Sequence, residues 1–191
     1  MGGGLMAEPN PEELFNLGVK SSGAKDYIQA KKYFEKACDL KYGRGCNDLG
    51  ELYYNGEDVE KNLTKATQYF SKACDLNNGG GCSNLGVLYQ NGQGVEKDLI
   101  KVAYFYTKAC DLKDGSGCFN LGELYLEKDS KKAVALFEKS CDLNISRGCG
   151  ALGVLYYNGQ GVEKNLTKAD QYFSKACKLG NQEACEALKE K

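Results

Sequence analysis

Ten cysteines recur along this 191-residue chain at a regular spacing, and that spacing constrains the fold more than any other feature. Within each successive pair the two cysteines lie eight residues apart, and from pair to pair the offset is 36, 36, 31 and 36 residues. The pairs are Cys38 and Cys46, Cys74 and Cys82, Cys110 and Cys118, Cys141 and Cys149, and Cys177 and Cys185. A fixed period of this length indicates an array of structural repeats.

The period divides the chain into five repeats followed by a capping helix. Residues 1–8 lack the basic-then-apolar layout of a secretory signal, and we expect them to be a disordered tail, a cloning remnant or the mature end of a processed chain. The predicted repeats are 9–41, 42–77, 78–113, the shortened 114–144, and 145–180, and the capping helix is 181–191.

Each repeat has the pattern of two amphipathic helices. The first carries a Leu-Gly-x-Leu-Tyr motif, as at residues 49–53, and the second carries apolar residues at i, i+3, i+4 and i+7, as at residues 63–74. A residue that favours helix N-caps precedes each second helix. These caps are Asp26, Asn62, Asp98, Asp129 and Asn165. Because a helix with one apolar stripe needs a neighbour to bury it, we predict an all-α, right-handed α/α solenoid of about eleven helices.

The repeated glycine of the Leu-Gly motif, for example Gly50, is expected to let neighbouring helices approach closely. A second set of glycines follows each second helix and is expected to form the turn into the next repeat. This second set includes Gly43, Gly45, Gly79, Gly81, Gly115 and Gly117.

Composition excludes several functional classes. The chain has no histidine, which removes the Ser-His-Asp and Cys-His catalytic arrangements and every histidine metal ligand. Its net charge is −1 and it has no run of basic residues, so nucleic acid and anionic membrane surfaces are not expected as partners. No apolar stretch approaches the ~20 residues of a membrane span. We expect a monomer without a cofactor.

The framework LGxLYxNGxGVEKDLxKAxxYFxKAC resembles the Sel1-like repeat, a relative of the tetratricopeptide repeat, and the resemblance extends over residues 11–190. Its C-x7-C pair is similar to that of the Helicobacter cysteine-rich protein family of secreted Sel1-like proteins. The resemblance implies penicillin binding and slow β-lactamase activity. The chain departs from the pattern in its truncated first repeat, its shortened fourth repeat, and Val102 in place of alanine.

The cysteine pairs could serve as a metal site, a redox pair or a structural staple. Zinc sites usually present C-x2–4-C ligand pairs, and redox pairs favour C-x-x-C, so we predict no metal site here. A staple fits, because Cys74 ends one predicted helix and Cys82 begins the next. The predicted disulfides are 38–46, 74–82, 110–118, 141–149 and 177–185, with reduced, buried cysteines as the alternative. Disulfides would indicate a secreted or periplasmic protein.

The sequence shows no catalytic constellation, so its assignment as an enzyme stays open. Its single S-x-x-K, from Ser22 to Lys25, lies in the predicted turn between the first two helices, without the S-D-N and K-T-G motifs of penicillin-binding enzymes. Glu51 and Glu123 share a repeat position, but they lie two repeats apart. At ~8–10 Å per helix layer, roughly 16–20 Å would separate them, too far for joint acid–base catalysis.

The first helices provide a candidate binding surface. In tetratricopeptide-like solenoids the positions flanking the Leu-Gly pair line the concave face, and here these positions vary between repeats, as a binding surface or a relaxed solvent-facing surface would. Asparagine and glutamine can hydrogen-bond a peptide backbone, and aromatic rings can anchor apolar groups. The candidate groove residues are Asn47, Glu51, Tyr54, Asn55, Val87, Gln90, Asn91, Phe119, Glu123, Tyr157 and Asn158. We predict a peptide, protein or peptidoglycan-like ligand, with β-lactams implied by the resemblance.

Overall fold

The computed structural model describes residues 9–190, and these residues form α-helices joined by short turns, with no strand among them. Eleven helices lie in this part of the chain: α1 (Pro11–Gly23), α2 (Tyr27–Asp39), α3 (Gly43–Asn55), α4 (Leu63–Asp75), α5 (Gly79–Asn91), α6 (Leu99–Asp111), α7 (Gly115–Tyr125), α8 (Ser130–Asp142), α9 (Ser146–Asn158), α10 (Leu166–Lys178) and α11 (Gln182–Lys189). The predicted all-α fold of paired helices is confirmed. The prediction for residues 1–8 lies outside the described residues.

The helices belong to two compact units, which meet in sequence between Lys97 and Asp98. In the N-terminal unit, α1 packs on α2, α3 on α4, and α2 and α4 each contact the helix that follows. In the C-terminal unit, α7 packs on α8, α9 on α10, and α11 covers α10. Within residues 9–190, none of these helices combines the length and the apolar character that crossing a membrane requires.

The second helices begin at the predicted caps. The side chain of each cap accepts a hydrogen bond from a backbone N–H two or three residues later, as Asn62 does from Lys65 at 3.0 Å and Asn165 from Lys168 at 3.0 Å. Asp26, Asp98 and Asp129 cap α2, α6 and α8 in the same way. The start of each second helix is therefore encoded locally, in agreement with the prediction.

The Leu-Gly glycine lies directly under an aromatic ring of the second helix. A Cβ atom added to Gly50 would lie 2.7 Å from ring atoms of Phe70, and one added to Gly153 would lie 2.7 Å from the ring of Phe173. Both distances are far below an ordinary carbon–carbon contact. The glycine therefore lets the ring of the paired helix seat against the backbone of the first helix, as expected of a close-approach position.

The turns between repeats differ from the prediction. Gly43, Gly79 and Gly115 are the first residues of α3, α5 and α7, so they do not form the turn. Lysine and asparagine form it instead, because the left-handed conformation falls on the residue that follows the C-cap of α2, α4, α6 and α8. These residues are Lys41 (φ 64°), Asn77 (φ 61°), Lys113 (φ 64°) and Asn144 (φ 64°).

Five disulfides join the second helix of each repeat to the helix that follows, with Cα–Cα distances of 4.5–4.7 Å. The glycine that precedes the second cysteine explains the close approach. A Cβ atom on Gly81 would lie 2.5 Å from Cβ of Ala73, one residue before the Cys74–Cys82 pair on each helix. The predicted stapling of the repeats by disulfides is confirmed, and the glycine serves helix contact rather than a turn.

Candidate functional site

In the N-terminal unit, an open pocket of about 350 Å³ lies between the first helices α3 and α5. Its walls are formed by Glu51, Tyr54, Asn55, Phe70, Asn84, Val87 and Leu88. Phe70 and Leu88 are 2% and 1% exposed, so the base of the pocket is part of the core. Four of its residues, Glu51, Tyr54, Asn55 and Val87, are among the predicted groove residues.

A short hydrogen-bond network organises the polar side of this pocket. The Asn84 Nδ2 amide donates to Asn47 Oδ1 at 3.0 Å and, at a longer 3.5 Å, to Glu51 Oε1. Within residues 9–190, Asn84 Oδ1 has no hydrogen-bond partner, whereas the Asn47 side-chain amide also donates to the Asp48 carboxylate. An amide nitrogen carries two N–H groups, so the site still presents one fixed acceptor, Asn84 Oδ1, and the second N–H of Asn47 Nδ2 as a donor.

Two carboxyl groups one helical turn apart accompany the amides. Burial, followed by the neighbouring Glu51 carboxylate, raises the pKa of Asp48 to about 6, although Arg44 and a hydrogen bond from Asn47 oppose the shift. Burial also raises the pKa of Glu51, and the hydrogen bond from Asn84 opposes this shift. The site therefore loses negative charge at a milder acidity than two ordinary carboxylates would.

Asp48 and Asn84 are not among the predicted groove residues, although both take part in this network. Each directly precedes a Leu-Gly pair. The signal available in the sequence was the polar side chain that this position carries in four of the five repeats, Asn16, Asp48, Asn84 and Asn120, with Ala151 in the fifth.

Gln90 and Asn91, also in the N-terminal unit, lie near the C-terminal end of α5 and outside the lining of this pocket. Asn91 Nδ2 donates to Gln93 Oε1 at 3.4 Å. The structure therefore separates these two residues from the Asn47–Asn84 network.

In the C-terminal unit, a pocket of about 370 Å³ lies between α9 and α11. Its walls are formed by Phe119, Arg147, Gly150, Ala151, Val154, Phe173, Asn181, Glu183, Ala184 and Ala187. Phe119, a predicted groove residue, lines this pocket but is only 5% exposed, because it also packs on Phe137 in the core. The guanidinium of Arg147 stacks on the Phe119 ring, 4.5 Å from its centroid.

The remaining groove candidates lie elsewhere on the C-terminal unit. Tyr157 is 56% exposed, with Lys164 Nζ 6.0 Å from the centre of its ring, and Asn158 is the exposed last residue of α9. Glu123 is an exposed residue of α7. None of the three lines the pocket between α9 and α11.

The Ser-x-x-Lys motif does not form a catalytic pair. Ser22 lies in the last turn of α1 rather than in the turn after it, and its backbone carbonyl accepts the N–H of Lys25 at 2.9 Å. Lys25 itself has a left-handed φ of 61° beyond the helix end. In residues 9–190, the serine hydroxyls that make hydrogen bonds, those of Ser130 and Ser140, donate to backbone carbonyls.

Comparison with known proteins identifies the repeat. The family model for the Sel1 repeat matches residues 14–42, 43–78, 80–114, 115–145 and 146–181, which together make up most of the chain. In fold, the chain is similar to a Sel1 repeat protein from Oxalobacter formigenes, with a TM-score of 0.84 at 26% identity, covering 94% of this chain and 77% of that one.

The chain is also similar to curated Helicobacter pylori proteins of strain J99. A segment of 63 residues, 33% of this chain, is 65% identical to 22% of "Putative beta-lactamase HcpC". Another segment of 62 residues, 32% of this chain, is 53% identical to 25% of "Beta-lactamase HcpA". The matched segments thus span about a quarter of these relatives' length. The chain belongs to the Sel1 repeat family, within the group of Helicobacter cysteine-rich proteins.

Proposed function

We propose that this protein is a peptide-binding repeat protein and that the pocket between α3 and α5 receives an extended peptide. The observation that carries the proposal is the pair of fixed amide groups, Asn84 Oδ1 as acceptor and Asn47 Nδ2 as donor. A peptide backbone offers one N–H donor and one C=O acceptor per residue, which complements such a pair.

The surroundings of the amides support binding of a peptide rather than a small ion. Tyr54 supplies an aromatic ring at the wall of the pocket, with Lys61 Nζ 5.6 Å from the ring centre. Val87 adds an apolar surface on the facing helix. Backbone hydrogen bonds beside an apolar anchor are the usual means of peptide recognition, and Sel1 and tetratricopeptide-like repeats commonly bind peptides or proteins.

Fluorescence anisotropy with a library of N-terminally labelled peptides tests this proposal. We expect Asn84→Ala to weaken binding about tenfold, because the loss of one or two hydrogen bonds costs about 1–1.5 kcal/mol. Tyr54→Ala is expected to weaken binding as well. Both changes are on the pocket wall, so the thermal unfolding midpoint is expected to stay close to that of the parent chain.

Asn120→Ala is the matched control, since Asn120 holds the same repeat position in α7 without lining either of these pockets. Peptide affinity that is unchanged by Asn84→Ala, or lowered equally by Asn120→Ala, would contradict the assignment of the pocket.

We further propose that the protein works in an oxidising compartment outside the cytoplasm. Five disulfides in one chain support this placement, because reducing cytoplasm does not maintain them. Alkylation of the protein in intact cells, followed by mass measurement, is expected to add no label to its ten cysteines. Alkylated thiols on the protein from intact cells would contradict the proposed oxidising compartment.

Hydrolysis of β-lactams is a second candidate function, favoured by the names of the H. pylori relatives, which are called β-lactamases. A β-lactam resembles a short peptide, so the proposed peptide site could also receive it. Intact-mass analysis with and without a β-lactam, together with a chromogenic turnover assay, tests the candidate. A covalent adduct on a definite side chain or measurable turnover would support it, and the absence of both would rule it out. We expect Ser22→Ala to leave either result unchanged.

A further inference from the structure

The pockets of the two units occupy the same place in the repeat but have opposite chemistry. Each lies between the first helices of adjoining repeats, and Phe70 and Phe173 hold the same position in their lining. The polar trio of the N-terminal unit is replaced by small or apolar residues in the C-terminal unit. Asn47 corresponds to Gly150, Glu51 to Val154, and Asn84 to Ala187.

Gly150 is the residue that opens the second pocket. The same repeat position holds Phe15, Asn47, Ser83 and Phe119 in the earlier repeats. The backbone does not require glycine there, because Gly150 is helical and its φ is not in the left-handed region. The pocket of about 370 Å³ is bordered by Val154, Phe173 and Ala187, and a Cβ atom on Gly150 would lie 3.2 Å from Asn181 Nδ2 at its edge. This volume is suited to an apolar side chain of a ligand.

Arg147 provides a cation at this apolar space. Arg44 makes the same stacking contact in the N-terminal unit, 4.4 Å from the Phe15 ring centroid. One turn later, however, it has the Asp48 carboxyl group, and it opposes the rise in the pKa of that group. The residue one turn after Arg147 is Ala151.

Arg147 makes no ion pair within residues 9–190, although Glu183 lines the same pocket. A stacked guanidinium keeps its edge N–H groups available for the two oxygens of a carboxylate. The second pocket therefore combines an apolar space with an unpaired carboxylate-binding group.

We propose that the pocket between α9 and α11 binds the C-terminal residue of a peptide, with its apolar side chain beside Val154 and its α-carboxylate on Arg147. This inference rests on the proposed peptide-binding function and assigns the C-terminal unit a peptide site of its own, with its own chemistry. Glu183 disfavours an acidic side chain in the same space, so the terminal residue is neutral and apolar.

Paired peptides test the inference directly. An N-terminally labelled Gly-Ser-Gly-Ser-Ala-Leu peptide with a free carboxylate is compared with the same peptide carrying a C-terminal amide. We expect the free acid to bind the full chain at least tenfold more tightly, as a charge-assisted hydrogen-bonded pair predicts. Arg147→Gln is expected to abolish the difference, and the matched variant Arg44→Gln is expected to preserve it.

A second variant leaves the arginine intact. Val154 is 46% exposed, so Val154→Glu is compatible with folding and places a carboxylate where the N-terminal unit has Glu51. We expect this variant to weaken binding of the free acid about tenfold, and Glu183→Gln to strengthen it.

Equal affinity of the parent chain for acid and amide, or a preference that survives Arg147→Gln, would overturn the inference. If the amide peptide binds as tightly as the free acid and Asn84→Ala weakens its binding about tenfold, the peptide-binding function stands and the C-terminal site fails. If no peptide binds at all, both fail.

Discussion

Gly50→Ala tests whether the Leu-Gly glycine sets the spacing of the two helices in a repeat. The added Cβ would lie 2.7 Å from two ring carbons of Phe70 and 3.3 Å from the carbonyl oxygen of Ala66. Since carbon atoms prefer about 3.5–4.0 Å, the ring must move by roughly 1 Å. Phe70 is 2% exposed, so this movement disturbs packed neighbours.

The expected magnitude follows from two opposing effects. Overpacking a core costs about 1–3 kcal/mol, whereas replacing glycine by alanine in a helix stabilises it by about 0.5–1 kcal/mol. The net loss in the free energy of unfolding is therefore about 0–2.5 kcal/mol, centred on about 1 kcal/mol. Gly23→Ala is the matched control, because nothing lies within 4 Å of its added Cβ and only the stabilising effect remains.

Guanidinium chloride unfolding measures both variants, compared by their midpoints at equal slope. The Phe70→Leu background then isolates the contact, since a smaller side chain relieves the clash. In that background, Gly50→Ala is expected to be neutral or stabilising. The coupling energy between the Gly50 and Phe70 substitutions is then at least about 1 kcal/mol. The reasoning is refuted if Gly50→Ala is as stable as Gly23→Ala, or if the effects of Gly50→Ala and Phe70→Leu simply add.

Two further predictions concern the disulfides and a buried carboxyl group. Replacing Cys74 and Cys82 together by alanine is expected to lower the free energy of unfolding by roughly 2.5 kcal/mol, because it opens a nine-residue loop and raises the entropy of the unfolded chain. An unchanged denaturation midpoint would contradict this prediction. Burial raises the pKa of Asp48 from its ordinary 3.8 to about 6, so the folded chain holds that proton more tightly than the unfolded chain. The proton therefore stabilises the folded state fully below about pH 4, and this stabilisation is lost as the pH rises through about 6. Asp48→Asn is therefore expected to be more stable than the parent chain at pH 8, by at most about 3 kcal/mol, and equally stable near pH 4; thermal midpoints showing the reverse order would refute it.

The sequence by itself determined the helix pairs, their N-caps, the period of the array and the pairing of its cysteines. These features depend on spacings within one repeat, such as the apolar residues at 63–74 or the eight residues from Cys74 to Cys82. A local pattern is sufficient for them because helix geometry converts a short sequence spacing directly into position on a face. Four residues in the wall of the pocket between α3 and α5 were predicted in the same way, from their positions near the Leu-Gly pair.

Only the tertiary structure decided which of those positions act together. Asn84 reaches Asn47 across 37 residues of sequence, and Arg147 stacks on Phe119 across 28, so both contacts depend on how successive first helices are spaced. That spacing is set by the glycine contacts and the disulfides. Whether a polar network or an apolar pocket forms between two adjoining first helices then depends on one side chain. Asn47 joins a hydrogen-bond network, whereas Gly150 at the same repeat position leaves an apolar pocket. The physical reason is that a pocket is defined by what adjoining helices leave unfilled, and this is a property of packed side chains in three dimensions rather than of any one stretch of sequence.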